Sequence, residues 1–125
     1  IIIVDETAVE EGVIIHARPF GTTEIGKRVT IGHMAMIHNA TIQDNAVIGM
    51  QAMISDFSTI GDWAIIAEQA LVKRNQVVPG MKIFAGAPAV EKGDVLDRHK
   101  EEWTLGKQIY VDLTTQYRET LREIQ

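Results

Sequence analysis

The chain has 125 residues, no cysteine, and 12 basic against 17 acidic side chains, a formal charge of −5. That length sets a single domain, the lack of cysteine excludes disulfides and thiolate metal sites, and the acidic balance argues against nucleic acid as a partner. No apolar run approaches the roughly 18–20 residues of a membrane span. No signal peptide is visible, so a cytoplasmic location is expected, with a preceding leader left open because the chain starts Ile1-Ile2-Ile3 without Met.

Large aliphatic residues recur at a step of six. They are Ile3, Val9 and Ile15, then Ile25, Ile31 and Ile37, then Ile42, Ile48, Ile54, Ile60, Ile66, Val72 and Val78. Four places further on the residues are mostly small or β-branched, as at Val29, Ala35, Ala46, Ala52, Ser58, Ala64 and Ala70. A step of six is not a helical period, and residues 25–78 lack the i, i+3, i+4, i+7 spacing of an amphipathic helix. It fits short strands joined by tight turns, so the fold is expected to be mainly β, a parallel β-helix of hexapeptide repeats. Three hexads make one triangular coil, about four coils in all. The first face then carries Ile3, Ile25, Ile42 and Ile60; the second Val9, Ile31, Ile48 and Ile66; the third Ile15, Ile37, Ile54 and Val72. Gly and Asn at the corners would supply backbone conformations that other residues resist.

Two steps break the period. Ile15 to Ile25 is ten residues, so a loop over residues 17–24 protrudes. Ile37 to Ile42 is five, a one-residue deletion at His38-Asn39-Ala40-Thr41. Such breaks often re-aim a side chain.

Pro79-Gly80 is expected to end the regular ladder, and residues 83–89 to form a closing extended turn. From about Asp94 the pattern turns helical, which divides the chain into a β-helix over 1–90 and a helical segment over 91–125 packed on its flank. Ile109, Tyr110, Leu113, Tyr117, Leu121 and Ile124 form one apolar stripe. Gly106 is expected to separate a short first helix, containing Trp103, from a longer second.

The period breaks flank histidines. His16 follows Ile15 and His38 follows Ile37, so both point outward from the third face on adjacent coils, about 4.8 Å apart. Two imidazoles at that spacing can converge on one zinc ion. His33, two residues after Ile31, lies on the second face, where a three-fold neighbour would present it to the other pair. Three His and a water make an open, catalytic metal site. His99, in the helical tail, has no such partner.

The stretch Gly12-Val13-Ile14-Ile15-His16-Ala17-Arg18-Pro19, with Ile31-Gly32-His33 and Ile37-His38, resembles the γ-class carbonic anhydrase family. Ile48-Gly49-Met50, Ala85-Gly86-Ala87-Pro88-Ala89 and the helical tail resemble it too. The resemblance implies a left-handed β-helix, a homotrimer, and Zn2+ (or Fe2+ or Co2+) at each subunit interface. His16 and His38 would come from one chain and His33 from the next. It implies reversible hydration of CO2 to bicarbonate by a metal-bound hydroxide. Glu10, standing where the family usually has Gln, would orient that hydroxide. Glu11 would pair with a basic residue across the interface, and Tyr110 resembles a helix Tyr near the family's site. Ala8 replaces the usual Asn, Asn39-Ala40 the common Gly-Cys, and the family's earlier coils with their Arg-Gly-Asp segment are absent. The loop over 17–24 has only Glu24 as an acid, so the acidic proton shuttle of some members is missing. The alternatives are a thioesterase, a hexapeptide acyltransferase, or a non-catalytic metal-binding assembly module.

Overall fold

The structure, a computed structural model, describes residues 1–123. Ile124, the last member of the expected apolar stripe, lies outside the described residues. Short strands alternate with turns, and each third strand stacks in parallel on the same face. The first face holds β1 (Ile2–Ile3), β4 (Glu24–Ile25), β7 (Thr41–Ile42), β10 (Thr59–Ile60) and β13 (Val77–Val78). The second holds β2 (Ala8–Val9), β5 (Thr30–Ile31), β8 (Val47–Ile48), β11 (Ile65–Ile66) and β14 (Lys82–Ala85), with β15 (Val90–Asp94) antiparallel at its edge. The third holds β3 (Ile14–His16), β6 (Met36–His38), β9 (Met53–Ile54) and β12 (Leu71–Val72). Five strands on the first face make about five coils rather than the expected four. The ladder also runs past Pro79-Gly80, since β14 pairs with β11 and Phe84 takes the aliphatic place over Ile66.

The register follows the six-residue step. Ile3, Ile25, Ile42, Ile60 and Val78 are partners on the first face, and Ile15, Ile37, Ile54 and Val72 on the third. From Ile25 to Val78 these aliphatics are fully buried. Each buried side chain contributes roughly 1.5–3 kcal/mol by leaving water. The column opens at the first coil, where Ile3 and Val9 are exposed.

The corners differ from expectation. Left-handed φ near 60° falls on Met34, Gln51, Phe57, Trp63, Gln69 and Met81 as well as on Asn39, Asn45 and Asn75. A non-Gly residue there costs roughly 1–2 kcal/mol. The cost is offset because each corner N–H donates to the coil beneath: Gln51 to His33 O at 2.9 Å, Phe57 to Asn39 O at 2.8 Å, Gln69 to Met50 O at 2.9 Å. Glycine follows the aliphatic residue for another reason. A Cβ on Gly49 would lie 2.5 Å from the Glu68 backbone nitrogen, and one on Gly32 2.9 Å from that of Met50. The glycines let neighbouring coils touch; they do not supply the corner conformation.

A single helix, α1 (Asp97–Thr120), replaces the two expected. Gly106 lies inside it, because an interior glycine weakens a helix without breaking it. The expected stripe is not the buried one: Ile109, Tyr110, Tyr117 and Leu121 are exposed. Trp103, Lys107 and Val111, spaced four apart, face the β-helix instead. His99 acts at the helix start, its Nδ1 accepting from the Leu96 N–H at 3.0 Å and satisfying a donor the helix leaves unpaired.

Lys107 is 2% exposed, and its Nζ donates to Thr30 Oγ1 at 2.9 Å and Ala46 O at 3.3 Å. Burial, with Arg28 nearby, pushes the amine down to about 8. Between that value and the ordinary 10.5 the unfolded chain binds the extra proton, so folding stability rises with pH over that window. Below about pH 8 the buried charge costs the fold on the order of 3 kcal/mol, a penalty that fades as pH rises through the window. Chemical denaturation from pH 7.5 to 9.5 is expected to show the rise, and Lys107→Met to flatten it. An unchanged slope contradicts the assignment. A Cβ on Gly106 would meet nothing within 4 Å. Gly106→Ala is therefore expected to stabilise by about 0.5–1 kcal/mol in the same assay, and a loss would show a packing role for the glycine.

Candidate metal centre

The third face places His16 and His38 side by side. Both end three-residue strands, one residue longer than their later neighbours, and pair in register. Their rings stack with centroids 4.8 Å apart and planes 21° from parallel. That separation is the spacing of adjacent strands. The protruding loop is tied down beside them. Thr23, fully buried, donates from Oγ1 to His16 O at 2.6 Å, and Gly21 is packed so closely that a Cβ would collide with Asn39 Oδ1.

His38 is also held from its other side. Its Nδ1 lies 3.0 Å from Asp56 Oδ1. The approach is an ion-pair distance rather than an aligned hydrogen bond, and both atoms are buried with no aligned partner. Arg18, from the loop, donates through Nη2 to Asp56 Oδ2 at 3.1 Å. Burial works to raise the Asp56 carboxyl, but Arg18 and His38 outweigh it and hold it below the ordinary carboxylate range. The sequence reading missed Asp56 and Arg18. Counting by the repeat does not reach Asp56: the register sets Ile54 over Ile37 and therefore Ser55, not Asp56, over His38.

His33 sits elsewhere in the same protomer, in the turn that enters the third face, whereas His38 lies at the exit. It joins Glu10, Glu11 and Tyr110 in a second cluster. His33 Nε2 is 2.9 Å from Glu10 Oε2, and Nδ1 is 2.9 Å from Glu11 Oε2. Tyr110 donates to Glu10 Oε1 at 2.8 Å. That bond, then burial and the charges of Glu10 and Glu11, raise the Tyr110 hydroxyl above its ordinary value. The cluster lies where two clefts of about 570 and 530 Å³ meet. The second is walled by Met50, Trp103 and Tyr110.

The structure thus brings His16 to His38, and His33 to Glu10, Glu11 and Tyr110. Among the described residues no three His, Asp or Glu side chains of one protomer converge to hold a metal ion. The donor set of the first cluster nevertheless fits a zinc-class cation. It offers two stacked imidazoles, one with Nδ1 turned to a carboxylate so that Nε2 is its remaining donor.

Residues 39–74 match the family model described as bacterial transferase hexapeptide (six repeats). A hexapeptide transferase family protein from Anaplasma phagocytophilum superposes with a TM-score of 0.86 at 26% identity, over 92% of this chain and 68% of its own. A Bacillus cereus protein assigned provisionally as an acetyltransferase gives 0.86 at 25%, over 94% and 67%. A hexapeptide-repeat acetyltransferase from Vibrio cholerae gives 0.64 at 22%, over 77% and 64%, and shares the fold. No curated protein matches the chain. The fold is therefore the left-handed β-helix of hexapeptide-repeat proteins with a C-terminal helix. The names of these neighbours favour the acyltransferase alternative over the carbonic anhydrase that the sequence resemblance implied.

Proposed function

We propose that the protein is a homotrimeric metal-dependent enzyme that hydrates CO2 to bicarbonate, with each site formed by His16 and His38 of one protomer and His33 of the next. The reading is carried by one observation, the in-register stack of His16 on His38 with Asp56 behind the second ring. A bound Zn2+, Fe2+ or Co2+ would supply Lewis acidity there, bringing a water's pKa toward roughly 7. The chain's own residues do the rest. The Glu10 carboxylate, held at Oε1 by Tyr110, would orient the reacting water by accepting a hydrogen bond beside His33, a role that an amide oxygen can also fill. Met50 and Trp103 wall the cleft beside this cluster.

A hexapeptide acyltransferase is the second reading, and two observations favour it. Its supporters are the named neighbours and the His33–Glu11 pair, a histidine oriented by a carboxylate as a general base for acyl transfer requires. Chelation separates the two. The first predicts about one divalent ion per chain and CO2 hydration by stopped flow that is lost on chelation and restored by zinc. His38→Ala would remove the metal, and Glu10→Gln would keep both metal and activity. Acetyl-CoA turnover indifferent to chelator, in a protein that binds no metal, would replace the first reading with the second.

A further inference from the structure

The contacts behind His38 form a chain that the proposed reaction does not by itself require. Phe57 occupies the left-handed corner after Asp56, and its N–H donates to Asn39 O at 2.8 Å, which locks this corner onto the one that follows His38. Arg18 lies over the Phe57 ring at 6.0 Å from its centroid, with Arg74 over the same ring at 4.9 Å. Arg18 grips Asp56, pairing its Nε with Oδ1 and its Nη2 with Oδ2. Asp56 in turn faces His38 Nδ1 at 3.0 Å. His38 Nδ1 is shut away from water and faces only this carboxylate, and a buried polar atom left without a partner costs about 1–3 kcal/mol. Asp56 can accept only, so the favourable form of the pair has hydrogen on Nδ1.

We infer that Asp56, held by Arg18, is a positioning residue that fixes the His38 ring in its Nδ1–H tautomer and so presents a bare Nε2 to a divalent cation. The inference rests on the metal reading for its purpose. The tautomer itself is a property of the metal-free chain. Which ring nitrogen binds a metal is set by the hydrogen bond the other makes. The loop over 17–24 therefore acts on His38 through Arg18 and Asp56. It orients a donor as well as bridging two coils.

The test uses the full-length, metal-free protein with 15N-labelled histidine, read by NMR through the two-bond couplings of the His38 ring. Wild type is expected to show hydrogen on Nδ1. Asp56→Ala is expected to move it to Nε2. Asp56→Asn, which keeps an accepting oxygen, is expected to hold the wild-type tautomer. Zinc affinity, measured by competition with a chromophoric chelator, should fall about 10- to 100-fold in Asp56→Ala, with Asp56→Asn between it and wild type. Should Asp56→Ala not fold, Arg18→Ala carries the comparison, since it frees the carboxylate and leaves it in place. It is expected to mix the two tautomers. A merely structural Asp56 would leave the tautomer unchanged, and identical His38 spectra in wild type and the Ala variants overturn the inference. Wild-type protein that takes up no zinc yet shows the Asp56-dependent tautomer refutes the metal reading and leaves the role of Asp56 standing. Zinc uptake with a tautomer indifferent to Asp56 does the reverse.

Discussion

The parallel ladder between coils is the constraint on which the rest depends. Each two- or three-residue strand hydrogen-bonds only to the strand one coil above or below, so its side chains must repeat along the stack. Inward positions become columns of isoleucine, and outward positions become columns of whatever chemistry the sequence places there. His16 over His38 is one such outward column. Their 4.8 Å separation needs no special device, since it is the strand spacing itself. The glycines after the aliphatic residues serve the same ladder by letting backbones approach where a Cβ would collide.

Much of this was legible because the inward column and the ladder share one period. The three faces, the partner of each isoleucine and the pairing of the two histidines all follow from counting by six. What failed to show obeys other rules. Met, Gln, Phe and Trp at left-handed corners contradict local preference, and only the hydrogen bond from each corner N–H to the neighbouring coil makes them tolerable. The buried helix face was misread because Lys107 sits at its centre. A hydropathy pattern discards lysine, yet Thr30 and the Ala46 carbonyl satisfy its ammonium. Asp56 escaped because its role depends on a corner rather than a strand, one residue out of register with His38 after the five-residue step.

The candidate site is divided between two ends of the third face. One end carries stacked nitrogen donors backed by Asp56 and Arg18. The other carries His33 with Glu10, Glu11 and Tyr110, where helix and β-helix meet. Within a protomer these are separate clusters, each with a chemistry of its own. In the proposed trimer a neighbouring copy set against the third face joins them. A site divided in this way also gives the short solenoid a reason to associate, because its core is modest and its first coil is open.

Subunit complementation measures that joining most directly. His33→Ala and His16→Ala proteins are each purified metal-poor and inactive, then mixed by co-refolding, with mixed trimers confirmed by native mass spectrometry. Around any mixed ring, one interface sets an intact His16–His38 pair against an intact His33. The account predicts that one site in three regains metal and CO2 hydration. Mixed trimers with no regained metal would contradict it, because a site drawn wholly from one chain would carry a missing ligand in every subunit.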